Sequence, residues 1–235
     1  MGAKTGVLAF ASGSVADALR SCRIESGRSQ ADALVRRLHP GWGVDAEGVS
    51  PLVGNLREAV DPPEGVAYAA SYPGVDVLCD RRLMLARPSL LPQRFLDAAK
   101  GRTVALHAMH SVVDWLAFAV WKDGVLVRSL SVSPNGGIQE NLGEPMDFEA
   151  PFWAGGQPVD SDPGWAEDRA PYPLPFNPLE LGELALRALF GFAVEGWSRP
   201  GDIDAFDIPV HGFRLTDPDR PIGERGPGPS EKGIA

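Results

Sequence analysis

Cysteine is scarce in this chain: Cys22 and Cys79 are the only two in 235 residues. Two distant thiols cannot form a disulfide framework, and reduced side chains in a cytoplasmic protein are the expectation. Long apolar runs are missing as well, so no stretch has the length of a membrane span. The opening MGAKTGVLAFASGS is too short and too weakly apolar for a signal peptide, and Gly6 stands where myristoylation needs Ser or Thr. Basic clusters do not exceed the pairs Arg36-Arg37 and Arg81-Arg82, and the net charge is −9. That balance excludes nucleic acid and an anionic membrane surface as main partners, leaving a small molecule or a protein. The phosphate-cradling patterns GxxxxGK and GxGxxG are absent, as are HExxH, CxxC and GxSxG. The sequence therefore names no cofactor, and no metal.

What remains is an ordinary globular composition, 44% apolar and 23% charged, sufficient for a sizeable core. The expected organisation is one domain over 1–216. The tail 217–235, DPDRPIGERGPGPSEKGIA, has almost no apolar content and is expected to be disordered. Thr5–Ala11 reads as a buried strand that turns at Ser12-Gly13-Ser14 into a helix capped by Ser14, with Asp17 three residues on. Plain capping is the simpler reading of that turn, and anion binding the weaker one. A second helix starts near Ser29, with Ala31, Leu34, Val35 and Leu38 at helical spacing, and Pro40-Gly41 ends it. Val66–Tyr72 and Val75–Asp80 are strands around Pro73-Gly74, with Cys79 as a core residue. Ser89–Lys100 reads as a helix with Pro92 in its first turn.

The densest apolar stretch is Thr103–Pro134. Thr103–Ser111 and Trp115–Trp121 read as strands, and Asp123-Gly124 is a two-residue hairpin turn. A regular hairpin sets Lys122 opposite Val125 and Trp121 opposite Leu126, then Ala119 opposite Arg128 and Phe118 opposite Ser129. Ser133–Pro178 contains nine prolines together with aromatics and reads as a long, ordered, irregular covering segment. Asn177-Pro178-Leu179-Glu180 begins a helix whose stripe is Leu181, Leu184, Ala185, Ala188, Leu189 and Phe192. Val210–Leu215 adds a short edge strand. Tight turns between consecutive strands favour α+β: an antiparallel or mixed sheet of about five or six strands with helices on a face.

The candidates for chemistry cluster around this hairpin. His107 and His110 lie three apart in a strand, so regular pleating sends them to opposite faces. Either could act as a general base oriented by a carboxylate from Asp114, Glu140 or Glu149, or join one as a metal ligand. A buried histidine bonded to backbone is the simpler alternative. The serines at 111, 129, 131 and 133 lack a nucleophile elbow and read as a polar sheet face. Trp115, Trp121 and Trp153, with Arg128, are the candidates for lining a pocket for a flat or apolar ligand, and core and lid packing is the simpler reading of the tryptophans. The resulting reading is a cytoplasmic small-molecule-binding or interaction domain without catalysis. The alternative is a hydrolase or metal-dependent enzyme using His107 or His110.

The blocks HAMHSVVDW, WKDGVLVRSLSVSP, FEAPFWAG and YPLPFNPLELGELALRALFGF, with the opening MGAKT, resemble an uncharacterised actinobacterial family of unknown function over nearly the whole length up to about Leu215. The resemblance implies a cytoplasmic single-domain protein with no assigned activity, and supplies no catalytic residues. Where such relatives carry an acidic stretch resembling YADGDP after the first strand, this chain has FASGSVAD, so any role of that aspartate does not carry over.

Overall fold

Strands dominate the computed structural model, which describes residues 4–22, 27–46, 54–159 and 172–219. In chain order the elements are β1 (Lys4–Ala11), α1 (Val15–Arg20), α2 (Arg28–Leu38), β2 (Gly43–Asp45), α3 (Leu56–Ala59), β3 (Val66–Tyr72), β4 (Val75–Asp80), α4 (Gln93–Ala99), β5 (Thr103–His110), β6 (Trp115–Lys122), β7 (Val125–Ser133), β8 (Gly137–Leu142), α5 (Ala150–Trp153), α6 (Pro178–Phe190) and β9 (His211–Thr216). The described strands form one nine-stranded sheet in the order β2-β9-β3-β4-β1-β5-β6-β7-β8, antiparallel throughout. The α+β class therefore stands, but nine strands replace the expected five or six. The uncounted β2 is three residues long, and β8 (GIQENL) is too polar to register as a strand. β9 lies inside the sheet, between β2 and β3, rather than at its edge.

Helices cover both faces, not one. On the first face α2 and α4 pack over Leu8, Phe10, Leu78, Leu106 and Trp121. On the second, α1, α3 and α6 cover Val7, Val77 and Cys79, while α5 and the rest of α6 cover Leu116, Phe118, Leu130 and Val132. Alternating side chains of the central strands thus enter two different cores, which is why β1 and β4 are almost wholly buried. Burial raises the Cys79 thiol well above its ordinary range and keeps it protonated and inert.

Caps act where the sequence places them. Ser14 accepts from the Asp17 amide, and Asn177 accepts from the Leu179 amide at 2.8 Å with Pro178 in the first turn. The expected Ser89–Lys100 helix is instead a 3-10 turn, Pro88–Leu90, followed by α4. Leu91 breaks the two apart at φ −50°, ψ 125°, the extended ψ that a following proline imposes. The covering segment Ser133–Pro178 is less irregular than expected, since it contains β8 and α5. Its residues 160–171, including Trp165, and the tail from residue 220 on, lie outside the described residues.

The hairpin turn is as read, with Asp123 at φ 52° and Gly124 at φ 77°. The register past it is not. Trp121 pairs with Leu126, but Val120 pairs with Arg128, Ala119 with Ser129 and Phe118 with Leu130. Val127 is an extra residue, a β-bulge that no local signal in the sequence marks. One inserted residue exchanges faces for everything beyond it. Arg128 moves to the α5–α6 face beside Phe118, and Ser129 and Ser131 move to the face of Trp121.

Candidate functional site

The two histidines of β5 do point apart. His107 is fully buried beneath α6, and its Nε2 lies 3.0 Å from the Gly182 carbonyl. That oxygen can only accept, so Nε2 carries the proton and Nδ1 accepts from the Thr5 hydroxyl at 2.9 Å. The helix comes this close because residue 182 has no side chain; a Cβ there would sit 2.8 Å from Met109 Sδ. Burial lowers the His107 pKa to about 4, against a weaker upward pull from the Gly182 carbonyl. Both ring nitrogens are therefore committed to structural bonds, and the ring is neutral at pH 7.

The bulge builds the second polar centre. Arg128 and Glu149 are both fully buried and form a bidentate pair, with Nε to Oε1 at 2.8 Å and Nη2 to Oε2 at 2.6 Å. Nη1 of Arg128 donates to Asn141 Oδ1 at 2.6 Å and to the carbonyls of Leu142 and Gly143 at 3.0 and 3.1 Å. Glu149 also accepts from the Met146 amide at 2.8 Å and from Trp153 Nε1 at 3.2 Å. Trp153 stacks edge-on against Phe176. Three of the expected site residues, Arg128, Glu149 and Trp153, are thus brought together. They form a saturated clamp that ties β8 and α5 to the sheet. Gly143 sits at φ 77° where a Cβ would run into the Val127 carbonyl, so the bulge and the clamp fit each other through a glycine.

The other candidates lie on the opposite face or at the strand ends. Glu140 accepts from the Ser89 amide and hydroxyl at 2.9 and 2.6 Å and from the Ser129 hydroxyl, fastening the 3-10 turn to β7. Trp121 is buried in the core, and Trp115 donates to Ser131 Oγ at 3.1 Å. At the β5–β6 turn, His110 Nδ1, Ser111 Oγ and the Tyr172 hydroxyl are buried with no hydrogen-bond partner among the described residues. Asp114, at φ 47°, stands close by: burial first, and then its charge, push the Tyr172 phenol up to about 12. Among the described residues no three His, Cys, Asp or Glu side chains gather into a metal-ligand set.

One concave feature was not expected from the sequence. A cleft of about 450 Å³ opens on the second face between α1 and α6. Its floor is Thr103, Ala105 and Val120, and Val15, Ala188 and Leu189 form its walls. Met146, held through its amide by Glu149, closes one side. The inward side chains at this end of β1 and β5 are small, Ala9, Ala11, Thr103 and Ala105, and the last two line the cleft. The α6 stripe is also rotated from the expected one. Leu186 and Phe190 are buried, whereas Ala188 is exposed at the cleft. Ser14 and Lys122 flank the opening, and Lys122 makes no ion pair among the described residues. The alternation of small residues in β1 and β5 was the available signal; which helices would span them was not.

No helix among the described residues is long and apolar enough to cross a membrane. Searches of curated proteins and of solved structures gave no match to this chain. The profile of one family does match, over residues 5–213: it is described as a family of unknown function, DUF6928, and the chain belongs to it.

Proposed function

We propose that the protein binds a small molecule in the cleft between α1 and α6 and performs no catalytic step there. The observation that carries this reading is the cleft itself: mainly apolar on floor and walls, with Thr103, Ser14 and Lys122 as its polar side chains. Its volume of about 450 Å³ falls in the range usual for small-ligand sites. Binding is favoured over the enzyme alternative by how the expected catalytic groups are engaged. His107, Glu140 and Glu149 each spend their polar atoms on bonds that hold the sheet, its turns and its covering segment together. The enzyme alternative is left with His110 and Asp114 at the β5–β6 turn, where no carboxylate among the described residues orients His110 Nδ1.

Ala188 supplies the test, because it is exposed and lines the cleft. Ala188→Trp should fill the site without disturbing the core. A thermal-shift screen of amphipathic metabolites should find compounds that raise the Tm of the wild-type protein, and that effect should vanish in Ala188→Trp. The reading fails if nothing stabilises the wild type, or if the stabilisers act equally on the variant.

A further inference from the structure

Resting on the cleft as the binding site, we infer that its ligand is an anionic amphiphile: a monocarboxylate carried on an unbranched or cyclic apolar body. The charge at the opening decides the class. Among the described residues Lys122 is the one ionisable side chain in the lining, with no acidic residue beside it there. Its neighbour Asp123 sits in the hairpin turn outside the lining, with its carboxylate toward Gly101. An ammonium group with no ion pair among the described residues, beside a mainly apolar trough, favours an anion whose tail enters the trough.

The geometry around the ammonium supports a carboxylate head. Residues 103 and 122 end adjacent paired strands, and Thr103, Ala105, Val120 and Lys122 all line the same cleft. The Thr103 and Ser14 hydroxyls also lie in the lining, and each has a proton to donate to a carboxylate oxygen. Gly13, at φ 108°, leaves open space where a side chain would stand, so the head can approach the backbone. Deeper in, Ala105, Val120 and Leu189 offer only carbon, so a second polar group on the tail would lose its water without a partner. A cleft in the lower part of the usual size range suits a tail of roughly eight carbons.

Calorimetric titration at low ionic strength with octanoate, 1-octanol and octyltrimethylammonium, on the wild type and on Lys122→Met and Ala188→Trp, tests this. Lys122 is exposed, so its replacement leaves the core intact. Octanoate should bind the wild type best, Lys122→Met should weaken it about fivefold, and 1-octanol should be unaffected by that change. Added salt should erode the octanoate preference. Equal octanoate affinity in Lys122→Met, or equal binding of the cationic probe, would overturn the anionic class. If 1-octanol then still bound in an Ala188→Trp-sensitive way, the cleft would stand while the ligand class fell. If no probe bound the wild type, the anionic class would fall, and the metabolite screen would decide separately whether the cleft binds a ligand.

Discussion

Glu149→Gln is expected to destabilise the protein by about 3–5 kcal/mol, the range for removing one partner of a buried ion pair. The substitution keeps the shape of the side chain and removes its charge, leaving the Arg128 guanidinium buried and uncompensated. Neither orientation of the new amide relieves this. One carboxylate oxygen accepts from Arg128 Nε and the Met146 amide, and the other from Arg128 Nη2 and Trp153 Nε1. Whichever side receives the NH2 group, it faces two donors. Against a total stability of about 5–15 kcal/mol, this is a large fraction. Urea unfolding of Glu149→Gln should show it as a shifted midpoint with little change in slope. The double variant Arg128→Met/Glu149→Met should recover only part of the loss: it removes both charges together, but leaves the Met146 amide and Trp153 Nε1 without their acceptor. A single variant within about 1 kcal/mol of wild type would mean the clamp is not what holds β8 and α5.

His107 should make the fold acid-sensitive in a window set by its two pKa values. Unfolded, it titrates near 6.5; folded, burial holds it at about 4. Between those values the unfolded chain binds a proton that the folded chain does not, so stability falls as the pH drops from 6.5 to 4 and is retained above 6.5. At about 1.4 kcal/mol per pH unit the loss approaches 3 kcal/mol, before any discount for water reaching the ring. Asp80 acts lower. Burial raises its carboxyl, but His39 and Arg82 outweigh burial and hold it below the usual range, so its contribution fades only as the pH falls below about 4. His107→Gln can still bond both Thr5 and Gly182 without titrating. Stability measured against pH should therefore be flatter for this variant between 6.5 and 4. Parallel curves would contradict the assignment.

Much of the local structure was legible in the sequence because its determinants are local. Ser14 and Asn177 cap the helices they precede, Asp123-Gly124 adopts positive φ at both positions, and the three-residue spacing of His107 and His110 sends them to opposite faces. The errors arose where a single residue or a distant partner decides. Val127 looks like any β-branched strand residue, yet as the bulge it carries Arg128 from the expected face to the one where Glu149 waits. β8 is recognisable as a strand only once Ser129, Leu130, Ser131 and Val132 are present to pair with it. The cleft is less legible still, since residues of α1, β5, β6 and α6, distant in the chain, line it together. Residue type thus marks Arg128, Glu149 and Trp153 as polar or aromatic candidates, while their role as a clamp and the cleft itself depend on tertiary packing.

Methyl NMR of the wild-type protein with octanoate reads occupancy of the cleft residue by residue. The methyl groups of Val15, Val120, Met146 and Leu189 should shift in a saturable way, while Leu34 and Leu83 in the opposite core stay in place. Shifts centred on the opposite face, or none in the cleft at the highest octanoate concentration, would contradict it.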